Sequence, residues 1–166
     1  MPTDFLWAAG SGNNGLIGSL VSLMTTELES LTNGSVIVSS VNGSSGVFTN
    51  SNTSQSILGE IYYFAGNAGC TPTTAGGGLA GWFLTTPDST AYEIATSAPA
   101  RGPDFLIPLP LIAIGGAVTT VQKSWGLVRI PALPFKVLIQ NNSGVTLGAG
   151  GTTAPYLKFA PTAVQY

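Results

Sequence analysis

Apolar residues recur along this chain at two different spacings, and the change from one to the other organises it. Near the N-terminus Ile17, Val21, Met24, Leu28 and Leu31 fall four, three, four and three residues apart, the period of an amphipathic helix. Gly18, the Thr25-Thr26 pair and a Ser-rich polar face oppose a helix there. Residues 17 to 24 therefore stay open between helix and strand, and residues 25 to 31 between strand and short helix. Beyond this point the apolar residues come in short β-branched and aromatic runs. Asn33-Gly34 and Asn42-Gly43, turn dipeptides that tolerate positive φ, bracket the run from Ser35 to Val41 and predict a hairpin arm. Residues 44 to 55 are almost all Ser, Asn, Thr and Gly around Val47 and Phe48, the composition of a solvated loop or edge.

The strongest strand signals are Ile57 to Ala65, Leu79 to Thr85 and Thr90 to Ile94, the last two joined by Thr86-Pro87-Asp88-Ser89 and expected to form an antiparallel pair. Between the first two, Gly66 to Gly78 holds five glycines and reads as a mobile connection. From Asp104 to Ile114, Phe105, Ile107, Leu109 and Leu111 alternate with Leu106, Pro108, Pro110 and Ile112. Proline cannot donate to a strand ladder, so this segment is expected at a sheet edge or in an extended contact. Val118 to Ile130 predicts a long strand bent or bulged around Trp125-Gly126. Pro134 to Gln140 and Val145 to Leu147 predict a hairpin across Asn141-Asn142-Ser143-Gly144, and Tyr156 to Phe159 a final strand. Residues 1 to 15 read either as an extended arm whose apolar plug, Phe5, Leu6 and Trp7, docks on a neighbour, or as a first strand on the chain's own core. Residues 16 to 166 then form one antiparallel all-β domain of seven to nine strands, a β-sandwich or jelly roll.

Composition narrows the class. Of 166 residues 44% are apolar and 7% charged, with five basic and seven acidic side chains. A monomer of this mass has roughly 7,700 Å² of accessible surface, or about one charge per 640 Å², far sparser than an ordinary soluble surface. Disorder does not account for this, because mean hydropathy is positive and disordered chains combine low hydrophobicity with high net charge. Phe105 to Val118 is the best apolar run, but it is fourteen residues long and broken by Pro108, Pro110 and Gly115-Gly116, whereas a span needs about 20. Met1-Pro2-Thr3-Asp4 lacks the basic start of a secretory signal. No membrane association and no export are expected. What is left is a polar surface of Ser, Thr, Asn and Gly, part of it shared with neighbouring subunits.

The absent residues exclude chemistry. The chain has no His, which removes His-based triads, Cys-His pairs and nearly all zinc and haem sites. Cys70 is alone, so no intrachain disulfide forms, and no basic residue near it in sequence activates its thiol. Lys123, Lys136, Lys158, Arg101 and Arg129 are too few and too dispersed to neutralise many phosphates, so no nucleic-acid partner is expected. The seven acids never take the spacing of a calcium loop, and nothing in the sequence brings Glu60 and Glu93 together as a glycosidase pair. Gly10-Ser11-Gly12-Asn13-Asn14-Gly15 matches the letters of a dinucleotide fingerprint, but neither it nor Gly148-Ala149-Gly150-Gly151 sits in a βαβ unit. No cofactor, no metal and no enzymatic activity are expected.

Four segments carry a family likeness. They are Thr25 to Gly34, Asp88 to Glu93, Pro131 to Leu147 and Tyr156 to Pro161, the third being the most specific, with a proline-capped loop, an apolar strand bearing one Lys and an Asn-rich turn in that order. Through them the chain, above all its half from about Leu79 to Ala160, resembles the jelly-roll decoration or cement proteins of tailed-bacteriophage heads. The resemblance implies a structural virion protein made in the host cytoplasm and carried on the capsid exterior. It implies a homotrimer bound between major capsid protein subunits, stabilising the head by contacts rather than by chemistry. On that reading Phe5, Leu6 and Trp7 belong to an arm that anchors the protein to the shell, and Phe105, Ile107, Leu109 and Leu111 lie at a subunit contact. Two other functions stay open: a tail or baseplate component, and a carbohydrate-binding module in which Trp82, Trp125, Tyr62, Tyr63 or Tyr92 stacks on a sugar ring.

Overall fold

A computed structural model describes residues 21–40, 46–48, 61–67, 77–88, 90–93, 96–108, 122–131, 133–148 and 154–161. The proposed arm, with Phe5, Leu6 and Trp7, lies outside these residues, as do Cys70, Leu109 and Leu111. The described residues form eight strands: β1 (Val21–Met24), β2 (Val36–Val38), β3 (Ile61–Asn67), β4 (Gly78–Thr85), β5 (Phe105–Pro108), β6 (Gln122–Arg129), β7 (Phe135–Asn141) and β8 (Tyr156–Pro161). A single 3-10 turn spans Thr26–Leu28. The protein is all-β, with every strand pair antiparallel. One sheet runs β1-β8-β3-β6 and the other β2-β7-β4-β5.

The two sheets face each other across one apolar core. Strand alternation sends Leu79 and Phe83 of β4, Phe105 and Ile107 of β5, and Phe135, Val137 and Ile139 of β7 inward from the second sheet. They meet Leu23 and Met24 of β1 and Leu157 of β8, with Val128 of β6 packed alongside. Three rings lock the centre: Phe135 stands edge-on to Phe83 at 5.1 Å, and Phe83 is tilted against Phe105 at the same centroid distance. Gly81 makes that second contact possible. It lies opposite Phe105 in the ladder, and a Cβ there would collide with the Phe105 ring. In the first sheet Tyr63 pairs with Leu127 and Phe64 with Trp125, which leaves Gly126 as the extra residue of a bulge, at the place expected from Trp125-Gly126.

Several local expectations are corrected. Of the two alternatives left open for residues 17 to 24, the described part, Val21–Met24, is a strand, whose consecutive Leu23 and Met24 are both buried because the β1–β8 register shifts between Ser22 and Met24. Residues 90–93 are not a strand, and β4 takes β5 and β7 as its partners instead. The cause is Asp88, whose carboxylate accepts the Thr90 and Ala91 N–H groups and spends on a turn the donors a ladder would need. Val145 to Leu147 does not return along β7 either. The Leu147 N–H donates to Leu31 O, and Leu147 O accepts from the Ser30 N–H.

Phe48, expected in a solvated stretch, is buried. Its N–H and carbonyl both pair with Phe135, and its ring packs on the Phe135 ring at 5.8 Å. Asn141, fully buried at the end of β7, ties this end of the fold together. Its Nδ2 donates to Leu31 O at 2.8 Å and to Val145 O at 2.7 Å, while its Oδ1 accepts the Ser143 N–H and hydroxyl. At the adjacent turn Gly34 has φ +82° and donates its N–H to Asn141 O, a backbone conformation that glycine adopts without strain.

Candidate interaction surface

The outward face of the second sheet is also apolar. The ladder registers set its side chains in rows: Val36, Gln140, Ala80 and Leu106 across one level, Val38, Leu138 and Trp82 across the next, and Lys136 and Leu84 across the third. Trp82, Leu84 and Leu138 are buried although they point away from the inter-sheet core, and Ala98 packs on them. The connection from Thr86 to Asp104 thus crosses the outside of the sheet as a strap over the second and third rows. Burying this second apolar layer follows from area, since an exposed Trp and two Leu side chains would each cost about 1.5–3 kcal/mol relative to burial.

Polar groups pin the strap. Trp82 Nε1 donates to Arg101 O at 3.2 Å. Arg101 Nη2 donates to Phe83 O at 2.9 Å and pairs with Asp104 at 3.2 Å and Glu93 at 3.4 Å. Asp104 Oδ2 accepts the Phe83 N–H at 2.7 Å. At the other end Asp88 Oδ1 accepts from Ala91 N, Thr90 N and the Thr86 hydroxyl at 2.8–2.9 Å. These donors, the Ala91 and Thr90 N–H groups foremost, hold the Asp88 carboxyl far below the usual carboxylate range. Tyr92 lies under the Lys136 ammonium at 4.9 Å. Asp88, Arg101 and Asp104 are therefore engaged by the protein's own backbone, Lys136 by a ring, and Glu93 by Arg101 and the Thr85 hydroxyl, and the charge in this region is spent on holding the strap.

In the first row Ala80 is buried, Val36 and Gln140 are half-buried, and only Leu106 is open. Leu106 is 63% exposed on β5, an edge strand as the prolines of that segment predict. Leu133, in the turn between β6 and β7, is the other large exposed apolar side chain among the described residues. This corrects the contact expected at Phe105 and Ile107. Both point into the core, 6% and 1% exposed, and the side chain that β5 turns outward between them is Leu106. Alternation separated the two faces of this strand, but every residue from Phe105 to Pro108 is apolar, so hydrophobicity alone did not say which face looks inward.

Of the aromatic residues weighed for sugar stacking, Trp82 is buried with its N–H used internally and Tyr92 is engaged by Lys136. The side chains of Tyr62, Tyr63 and Trp125 lie outside the described ones. Among the described residues no group of three or more His, Cys, Asp and Glu comes together in a way that could hold a metal ion, and no helix is long and apolar enough to cross a membrane. No family model, no curated protein and no solved structure matches the chain.

Proposed function

We propose that this chain is a jelly-roll structural protein of a virion, a cement protein that binds as a homotrimer between major capsid protein subunits on the outside of a tailed-bacteriophage head. The jelly-roll reading is supported by the nesting of the strand pairs. β4 pairs with β5, β3 with β6, β2 with β7 and β1 with β8, the pattern of one long two-stranded ribbon whose tip is the 86–104 strap. Successive sections of that ribbon fall alternately in the two sheets, and rolling it closed brings β3 beside β8 and β4 beside β7. Eight strands in two sheets with this nesting support the jelly-roll reading, an architecture shared by viral capsid and lectin domains.

The observation that carries the functional reading is the exposed Leu106 side chain at the β5 edge. Leu106 projects from a sheet edge beside Ala80, and the nearby charges are turned onto the protein itself. A neutral flank of this kind packs against a copy of itself without desolvating ions. Three linked copies then hold a shell junction with a strength no single contact supplies.

Sedimentation of the purified chain tests the trimer. The expected mass is three times the 16.9 kDa of one chain, reduced to one by Leu106→Glu with the fold intact. A wild-type monomer at micromolar concentration overturns the trimer, and a Leu106→Glu trimer removes this side chain from the contact. Removal of residues 1 to 12 is expected to abolish shell binding and leave the trimer folded. Imaging of the particle locates the protein, and density at the tail instead of the head selects the tail-component reading.

A further inference from the structure

The end of β5 leaves a gap in the second sheet that two side chains fill. Among the described residues β5 pairs with β4 from Gly78 to Gly81, its first residue, Phe105, lying opposite Gly81. β4 continues through Thr85. Phe135 spends both its N–H and its carbonyl on Phe48, so Thr85, directly opposite Phe135 in the ladder, turns its own backbone groups away from β7 and toward the β5 side. Phe83, two residues earlier, turns the same way. Among the described residues the Phe83 and Thr85 segment is thus a stretch of strand edge with no strand beside it.

At Phe83 the missing strand is replaced by side chains. Asp104 Oδ2 accepts the N–H at 2.7 Å, Arg101 Nη2 donates to the carbonyl at 2.9 Å, and the two side chains pair with each other at 3.2 Å. A neighbouring strand would offer this residue the same two things, one acceptor and one donor. The chain approaches in the right place to deliver them, because the Asp104 N–H donates to Gly81 O. Both bonds to Phe83 are charge-assisted, about twice as strong as neutral ones. An incoming strand would have to break them and strand a paired Arg and Asp against the sheet. Charged side chains at an edge are a known means of refusing strand pairing.

We infer that Arg101 and Asp104 act as a two-residue substitute strand that closes the free end of the β4 edge against strand addition by a second copy of the chain. The second copy is the fitting intruder because it brings the same segment, and two antiparallel β4 edges related by a twofold axis satisfy each other's groups. The pair is reachable, Arg101 being 44% and Asp104 33% exposed, so it can be removed without opening the core. The inference rests on backbone geometry and holds for any oligomeric state of the wild-type chain, which serves as the baseline.

The test compares full-length wild type with Arg101→Ala/Asp104→Ala by sedimentation over a range of concentrations and by hydrogen exchange at the Phe83 amide. The double variant is expected to form a species larger than the wild-type one, growing with concentration, and to exchange Phe83 about tenfold faster or more at low concentration. Adding Thr85→Pro, which deletes the next N–H on the same edge, is expected to suppress the association. A folded double variant that sediments like wild type overturns the inference, since a pair that only stabilised the strap would raise exchange without changing mass. If circular dichroism finds the double variant unfolded, Asp104→Asn and Asp104→Ala are compared. Asn keeps an oxygen acceptor, so slower Phe83 exchange in Asn than in Ala supports the assignment, and equal exchange in the two overturns it.

Discussion

The second sheet is apolar on both sides, and the two sides are held by different physics. Inward, Phe83, Phe105, Phe135, Val137 and Ile139 interdigitate with side chains from the opposite sheet, and the cohesion is that of area and packing. Outward, Trp82, Leu84 and Leu138 have no second sheet to meet. They are covered by a strap of irregular backbone, which a few directed bonds keep in place: Trp82 to Arg101, Arg101 and Asp104 to Phe83, and the Asp88 turn. A packed core tolerates the loss of any one polar group at its rim, whereas a strap depends on its pins. The chain has few charges, and Asp88, Arg101 and Asp104 are placed at these pins.

The largest loss is expected from the inner face. Phe135→Ala removes the ring shared by Phe48 and Phe83 and is expected to cost about 3–5 kcal/mol, read by denaturant unfolding as a lower midpoint at an unchanged slope. The strap should answer to a much smaller change. Trp82→Phe keeps most of the buried area but leaves Arg101 O without its donor, for an expected loss of about 1 kcal/mol, or about 2–4 °C in melting temperature.

The smallest effect is at Asp88. Its folded carboxyl is depressed below the unfolded value by the N–H and hydroxyl donors around it, so it stabilises the fold above the unfolded pKa, about 3.9, and this contribution is lost as pH falls below that value. Melting curves of wild type and Asp88→Asn should differ by a constant amount above about pH 5 and converge as the pH drops below about 4. A difference that widens in acid would remove Asp88 from the turn's support.

Much of the fold was legible along the chain. The β-branched and aromatic runs at Leu79 to Thr85, Pro134 to Gln140 and Tyr156 to Phe159 became strands β4, β7 and β8, the Trp125-Gly126 bend became a bulge, and the prolines after Phe105 placed β5 at an edge. What misled was local pattern without partners. Thr90 to Ile94 has strand composition, but one carboxylate two residues upstream captured its donors. Phe48 sits in a polar stretch, yet Phe135 presented an unpaired backbone edge and a ring to receive it.

The sequence by itself determined that this is an all-β chain poor in ionisable groups and without histidine, because strand propensity, turn dipeptides and composition are properties of residues and their immediate neighbours. The tertiary structure alone decided that Phe105 and Ile107 turn into the core and Leu106 turns out, that the 86–104 connection lies across an apolar sheet face, and that Arg101 and Asp104 meet the backbone of Phe83. Each of these depends on which strand lies beside β4 and where that strand ends. Register between residues far apart in the chain is set by the burial of whole faces, which no single segment encodes.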